Sequence, residues 1–237
     1  MKNKVAVITG AARGIGKCIA EEFVKAGARV AIIDILQNDY FSGDLGDKKV
    51  VEKFAAKVIK DFGKVDYLIN NAIPTGTFNT GIDGGSIENF EYMLNVGVTA
   101  PFYLAKLFFG HFNKDASIIN ISSTRAHQSQ PNTEAYTAAK GAITALTRAL
   151  AVSLSGKVRV NSIAPGWIDN DYKAYTGADA TQHPSGRVGN PLDIANMVLY
   201  LCSEKAGFIT GQEIVIDGGI SKQMIYHGDN GWILKKD

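Results

Sequence analysis

The feature that most constrains this sequence is a glycine-rich turn near its start. Residues 4–9 form an apolar run typical of a buried strand, residues 10–16 read GAARGIG, and residues 17–25 follow a helical pattern. Gly10 permits a tight turn, Gly14 lets the backbone approach a phosphate, and Gly16 lets the helix pack on the strand. Because the helix N-terminus then faces the phosphates, this order predicts a dinucleotide site.

An acidic residue at the end of the second predicted strand strengthens this interpretation. Gly27 ends the helix, residues 29–33 form the strand, and the Asp34 carboxylate can accept both ribose hydroxyls. A 2′-phosphate beside Asp34 would meet a repulsion of roughly 4 kcal/mol per charge pair at ~4 Å and an effective dielectric of about 20. NAD is therefore expected, and NADP is less favoured. Arg13 is the counter-argument, since a basic residue in this turn can hold that phosphate.

A second stretch supplies candidate catalytic side chains. Tyr136 and Lys140 are four residues apart, so on a helix their side chains project from one face. A cation within roughly 4–6 Å lowers the pKa of a tyrosine from ~10, which would let Tyr136 exchange protons near neutral pH. The Ser123 hydroxyl precedes a loop that leads to Tyr136 and could hold a substrate oxygen. A Tyr-x-x-x-Lys pair alone is usually a surface contact, so this interpretation depends on the N-terminal motif.

Together these residues resemble the short-chain dehydrogenase/reductase family over nearly the whole chain. The matching motifs, in family order, are Thr9-Gly-x-x-x-Gly-Ile-Gly16, Asn70-Asn71-Ala72, Ser123, Tyr136-x-x-x-Lys140 and Pro165-Gly166. The resemblance implies an α/β fold, with a single Rossmann-type doubly wound parallel sheet of about seven strands. It also implies a nicotinamide cofactor, hydride transfer to or from a small-molecule alcohol or ketone, and a homotetramer or homodimer.

The resemblance assigns roles to individual positions. Ser123, Tyr136 and Lys140 would be catalytic, and Lys140 would also hold the nicotinamide ribose. Asp44 and Leu45 would border the adenine. The full set of implied cofactor-binding positions is Gly10, Arg13, Gly14, Ile15, Gly16, Asp34, Asp44, Leu45, Asn71, Ala72, Tyr136, Lys140, Pro165, Gly166, Ile168 and Asn170.

Three departures from the family pattern accompany these matches. Residues 35–43 are too few for a helical crossover, so an irregular connection is expected. Ile73 stands where the family usually continues with glycine. Gly97 stands where members commonly have an asparagine that helps carry protons from the lysine to solvent; Asn95 would point to nearly the opposite side of the helix and does not inherit that role. A non-catalytic NAD-binding or sensing protein on the same fold therefore remains the alternative.

The remaining chain alternates strands and helices. Strands are predicted at residues 65–69, 117–121, 158–163 and 213–216, and helices at 47–62, from Ser86 onward with an interruption at Pro101, at 136–154 and at 190–203. Residues 75–85 read as a loop and residues 169–189 as a substrate lid. The tail, residues 220–237, is apolar enough that we expect it to pack on its own subunit or on a partner.

Composition excludes several other classes. A chain of 237 residues, 46% hydrophobic, fits one domain, and 25 basic against 23 acidic residues argue against a nucleic-acid or anionic-membrane surface. No uncharged run approaches membrane-spanning length and no leader pattern precedes the first strand, so a cytoplasmic protein is expected. The four histidines form no ligand spacing, so metal is not expected. His127 and His183 lie in loops expected near the substrate, where exposure is favoured over substrate contact.

Substrate chemistry is only outlined by the sequence. Arg125, His127, Gln128 and Gln130 hint at a polar substrate such as a polyol or sugar derivative, whereas Trp167 and the tyrosines would equally suit a ring.

Overall fold

A seven-stranded parallel sheet forms the centre of the computed structural model, which describes residues 1–75, 82 and 84–233. The strands are β1 (Val5–Thr9), β2 (Arg29–Asp34), β3 (Phe41–Ser42), β4 (Val65–Asn70), β5 (Phe112–Ile121), β6 (Val158–Pro165) and β7 (Glu213–Ile216). The helices are α1 (Gly14–Lys25), α2 (Lys48–Phe62), α3 (Ile87–Leu94), α4 (Ala100–Phe108), α5 (Glu134–Ser153), α6 (Ala178–Thr181) and α7 (Pro191–Cys202). This confirms the predicted single-domain, doubly wound α/β fold.

The strand order is β3-β2-β1-β4-β5-β6-β7, so the direction of winding reverses between β1 and β4. Ile8 of β1 pairs with Ile32 on one side and with Ile69 on the other. Open α/β sheets bind ligands outside the carboxyl ends of the strands at such a reversal. The turns after Thr9 and Asn70 both emerge at this place.

Helices cover both faces of the sheet, which explains why its central strands are apolar on both sides. On one face, α2, α4 and α5 pack against the strands through residues such as Phe54, Leu104 and Phe108. On the other face, α1 and α7 pack through residues such as Phe23 and Val198. Across the described part of the chain, no helix combines the length and apolar character needed to span a bilayer.

The short connection after β2 lacks a helix, as its length predicted. Asn38 organises it: its Oδ1 accepts from the Tyr40 and Phe41 amides at 3.0 and 2.8 Å, and its Nδ2 donates to the Phe41 carbonyl at 2.9 Å. These bonds make a local turn that a side-chain amide favours. The chain then pairs Phe41 with Ile33, and β3 needs only two residues.

The interruption predicted at Pro101 takes the form of a π-helical turn over Asn95–Thr99, between α3 and α4. Proline has no N–H to donate to the carbonyl of Gly97, four residues earlier, so the α-helical bond there cannot form. Such turns are rare and often occur at functional sites. Ser86 caps α3 as expected, because its Oγ accepts from the Asn89 amide at 3.1 Å.

Several boundaries and exposures differ from the predictions. β5 begins at Phe112, five residues before the predicted start, because Phe112 pairs with Val65 across a register shift in β4. His183 was expected to be exposed but is 2% exposed, packed beside Trp167 with ring centroids 6.0 Å apart.

Two predicted segments fall partly outside the described residues. Within the predicted loop at 75–85 these are residues 76–81 and 83, and in the tail they are residues 234–237. Of the described tail, Met224, Tyr226 and Trp232 are exposed on this chain, so packing on the chain's own subunit does not hide them.

Candidate active site

The glycine-rich turn is as tight as its sequence predicted. Gly10 and Gly14 have φ of +66° and +57°, a backbone region that favours glycine. A Cβ on Gly10 would lie 2.8 Å from the Ala72 Cα, and a Cβ on Gly16 would overlap the Gly10 carbonyl oxygen. The turn therefore brings the first amides of α1 to the edge of the sheet, where they can bind phosphate.

A cleft of about 900 Å³ opens beside this turn. That volume is at the upper end of the range for small-molecule and cofactor sites. Most positions predicted for the cofactor line it: Gly10, Arg13, Gly14, Ile15, Asp34, Asp44, Leu45, Asn71, Ala72 and Asn170. Size, glycine cradle and carboxylates together fit a dinucleotide.

The Asp34 carboxylate is held in place in the cleft by backbone amides. Its Oδ2 accepts from the Ala12 amide and its Oδ1 from the Leu36 amide, both at 2.9 Å, and the side chain is 8% exposed. Arg13, the residue that could favour NADP, instead donates from Nη2 to the Thr75 Oγ1 at 3.2 Å. The guanidinium thus bridges the glycine turn to the segment after β4.

Asp44 lies in the same cleft and is held by a residue that sequence reasoning missed. Its Oδ1 accepts from the Gly46 amide at 2.7 Å and from the Tyr92 hydroxyl at 3.0 Å. Burial, followed by the bond to Asp44, raises the pKa of Tyr92 to about 12, so this hydroxyl keeps its proton and donates. No motif marks Tyr92, since it reaches the site only through the packing of α3.

Asn71 and Ala72 tie the segment after β4 to the glycine turn. The Asn71 Nδ2 donates to the carbonyls of Thr9 and Gly10 at 3.1 and 2.8 Å. The Thr9 Oγ1 accepts from the amides of Asn71 and Ala72 at 3.0 and 3.1 Å. These four bonds hold the two walls of the cleft together.

Ile73 and Gly97, two of the departures from the family pattern, lie next to each other in the fold. A Cβ on Gly97 would lie 2.6 Å from the Ile73 Cδ1 and 3.3 Å from the Ala139 Cβ. Ile73 therefore fills the space that a side chain at position 97 would need. The sequence showed both changes, but only the fold shows that they meet.

The segment after β6 reaches back to the glycine turn. Gly166 follows Pro165, and a Cβ there would lie 2.6 Å from the Asp217 Cβ, so glycine is required for close packing. Ile168 forms a bridge to Gly189. The Asn170 Oδ1 lies 2.9 Å from the position of a Cβ on Gly14, which brings this predicted residue against the turn.

The two serines after β5 have separate partners. Ser122 Oγ donates to the Lys140 carbonyl at 3.2 Å and lies 2.8 Å from the Thr144 Oγ1, so it braces α5. Ser123 instead hydrogen-bonds with Tyr136 and accepts from the Arg125 amide at 3.2 Å. The fold therefore brings Ser123, rather than Ser122, to the tyrosine.

Lys140 lies deep in the same site. It is 4% exposed, its Nζ donates to the Ile121 carbonyl at 2.7 Å, and that nitrogen is 5.5 Å from the Tyr136 ring centroid. Burial lowers the pKa of Lys140 to about 7. Burial thus disfavours the charged form of its amine.

The pKa of Tyr136 moves in the direction opposite to the expected one. Burial raises it, while the hydrogen bond with Ser123 and the charge of Arg125 oppose that rise. Sequence reasoning considered only the lysine and underestimated desolvation of the phenol. It took Arg125 only as a hint of a polar substrate and missed its effect on the tyrosine.

Fold and site define a Rossmann-type nucleotide-binding protein with a Ser-Tyr-Lys group beyond its cleft. Within the described residues, no cluster of His, Cys, Asp and Glu could hold a metal ion. Residues 10–221 match the family model described as enoyl-(acyl carrier protein) reductase. The chain belongs to the short-chain dehydrogenase/reductase family and is an oxidoreductase. Members use a nicotinamide cofactor, NAD or NADP, act on small molecules and are usually oligomeric.

Individual relatives agree with this assignment. An uncharacterized oxidoreductase of Thermotoga maritima is 39% identical over 95% of this chain and 99% of its own length. An apo SCOR enzyme from Clostridium thermocellum has a TM-score of 0.91 and 44% identity over 100% of both chains. A glucose/ribitol dehydrogenase of the family from Brucella melitensis has a TM-score of 0.86 and 30% identity over 93% of this chain and 97% of that one.

Proposed function

We propose that this protein is an NAD-dependent alcohol dehydrogenase or carbonyl reductase that uses Tyr136 as its general acid and base. The observation that carries the proposal is the hydrogen bond of Ser123 with Tyr136, one helical turn from Lys140. The Tyr136 phenol hydrogen-bonds with a serine and has the basic side chains of Arg125 and Lys140 near its ring, so it is suited to exchange a proton with a substrate oxygen.

The residues divide the chemistry as follows. In oxidation the Tyr136 oxygen takes the proton of the substrate hydroxyl; in reduction it returns a proton to the new alkoxide oxygen. The Ser123 hydroxyl donates to that oxygen and fixes its position. Lys140 provides positive charge next to the phenol and a donor for the nicotinamide ribose. Bound nicotinamide supplies the hydride acceptor in oxidation and the hydride donor in reduction.

NAD is proposed over NADP because both Asp34 oxygens are already fixed by backbone amides. The carboxylate cannot turn away from a 2′-phosphate without breaking those bonds. Arg13 donates to Thr75, so it would have to break that bond to pair with such a phosphate. Asp34 accepts ribose hydroxyls instead.

A polyol or sugar derivative is the proposed substrate class. The polar group of Arg125, His127, Gln128 and Gln130 follows Ser123, and one relative is named a glucose/ribitol dehydrogenase. Residues 169–189 are proposed as the substrate lid. We further propose a cytoplasmic homotetramer or homodimer, since apolar side chains such as Phe208 are fully exposed on this chain.

A non-catalytic NAD-binding or sensing protein is the second candidate. Gly97, where relatives commonly have a relay asparagine, and the raised pKa of Tyr136 favour it. This candidate predicts NAD binding without turnover. The intact Ser123, Tyr136 and Lys140 group favours the enzyme.

The test is a panel of polyols, aldoses, simple alcohols and ketones, each assayed with NAD(H) and with NADP(H). We expect turnover with a polyol or sugar and a higher kcat/KM for NAD. A higher kcat/KM for NADP would refute the cofactor assignment. Saturable NAD binding with no turnover on any substrate class would favour the sensing protein.

A further inference from the structure

Arg125 is the residue that contacts both side chains of the proposed proton-transfer pair. It lies in a single 3₁₀ turn, Thr124–Ala126, directly after Ser123. Its backbone amide donates to the Ser123 Oγ at 3.2 Å, and its guanidinium carbon lies 5.8 Å from the Tyr136 ring centroid. Nothing in the catalytic triad implied by the family resemblance assigns it a role.

The hydrogen bond from the Arg125 amide orients the Ser123 hydroxyl. An oxygen that accepts from the Arg125 amide keeps its own hydroxyl proton available to donate elsewhere. The donor side of Ser123 is thus directed to the Tyr136 oxygen or to a substrate oxygen.

The Arg125 guanidinium favours the ionised form of Tyr136. Phenolate charge spreads over the ring, and a cation within about 6 Å of a ring centroid is attracted to it even before ionisation. Arg125 at 5.8 Å and Lys140 at 5.5 Å are almost equally close. Arginine stays charged at all working pH values, whereas burial lowers the pKa of Lys140 to about 7.

We propose that Arg125 is a positioning residue of the catalytic centre: its guanidinium supplies the permanent positive charge that stabilises the Tyr136 phenolate, and its amide orients Ser123. The inference rests on the proposed function, because it assumes that Tyr136 transfers the proton. It assigns to arginine part of the role that the family resemblance gives to lysine alone.

Within the described residues, several other charged groups lie on the elements around this turn. On α5, Lys140 is the second cation and Glu134 is exposed at the helix start. On β7, Glu213 pairs with His127 of the loop after the 3₁₀ turn, and its Oε1 accepts from the Thr144 Oγ1 at 2.6 Å. The Arg125 Nη2 also donates to the Gln130 side-chain oxygen.

The test compares Arg125→Gln, which removes the charge, with Arg125→Lys, which keeps it. Arg148→Gln is the matched control, because Arg148 is exposed on the same helix as Tyr136. The readouts are the pH dependence of kcat for alcohol oxidation and the phenolate absorbance of each protein minus that of the same protein carrying Tyr136→Phe. The second readout needs only folded protein.

Loss of a charge about 6 Å away should move the rising limb of the oxidation profile upward by roughly one pH unit in Arg125→Gln. The phenolate titration should move with it, and kcat at neutral pH should fall up to about tenfold. Arg125→Lys should keep most of the wild-type profile, and Arg148→Gln all of it.

An unshifted profile in Arg125→Gln, or a raised KM with the profile unchanged, would overturn the inference; the second result would make Arg125 a substrate contact. If Arg125→Gln does not fold, the Arg125→Lys variant decides. A rising limb that moves upward by roughly one pH unit in that variant, although the charge is kept, would also overturn the inference. The proposed function fails separately, if Tyr136→Phe alone still turns over.

Discussion

The close approach of Ile73 to position 97 predicts that Gly97→Ala destabilises the wild-type protein but stabilises a variant with a smaller residue at position 73. The perturbation is Gly97→Ala, made in the wild-type protein and in an Ile73→Val background. Valine lacks the Cδ1 atom that would lie 2.6 Å from the new Cβ. Gly97 is buried, and its φ is not positive, so alanine suits the local backbone.

Two opposing effects set the magnitude. Replacing glycine by alanine in a helix interior stabilises by about 1 kcal/mol. An extra methyl group in a packed place destabilises by about 1–3 kcal/mol. We therefore expect Gly97→Ala to lower the free energy of unfolding by up to about 2 kcal/mol in the wild type, and to raise it by up to about 1 kcal/mol in the Ile73→Val background.

Urea unfolding of the four proteins measures both values and their coupling energy, expected at about 1–3 kcal/mol. Gly141→Ala is the control, because Gly141 lies inside α5 with no atom within 4 Å of its would-be Cβ. It should stabilise both backgrounds equally. A Gly97→Ala effect that is the same in both backgrounds would refute the claim that Ile73 occupies this space.

Two further predictions concern the cofactor cleft and the buried lysine. Tyr92→Phe removes the hydroxyl that donates to Asp44, so NAD binding should weaken about two- to fivefold, with a smaller loss for nicotinamide hypoxanthine dinucleotide, which lacks the adenine amino group; equal losses in fluorescence titrations would contradict this. The pKa of Lys140 is lowered to about 7, so between that pH and about 10 the unfolded chain binds the extra proton and the free energy of unfolding should rise with pH, at up to about 1.4 kcal/mol per unit. Lys140→Met should abolish this rise, and urea-unfolding curves that coincide at pH values near 7 and 9 would show that the pKa of Lys140 is not lowered.

The sequence predicted the fold correctly, and most of the predicted cofactor positions line the cleft, because both depend on local patterns. The glycines, Asp34, Asn71 and the Tyr136–Lys140 spacing each act within a few residues of a turn or a helix face. Their positions followed from strand, turn and helix order alone.

What the sequence could not predict depends on contacts between distant segments. Tyr92 meets Asp44 across 48 residues, and Ile73 meets Gly97 through a helix packed on a loop. The rise in the pKa of Tyr136 comes from burial, which a linear spacing does not report. Nothing in the sequence near His183 indicates that Trp167 packs beside it and that the histidine is buried.

The most direct test of the central claim is turnover by Tyr136→Phe, which keeps the aromatic ring and removes the hydroxyl group that would transfer the proton. The assay compares kcat with that of the wild type on the best substrate from the panel, with NAD binding measured in parallel. The account predicts that NAD still binds and that kcat falls about 10²-fold or more. Wild-type turnover in the variant would contradict it.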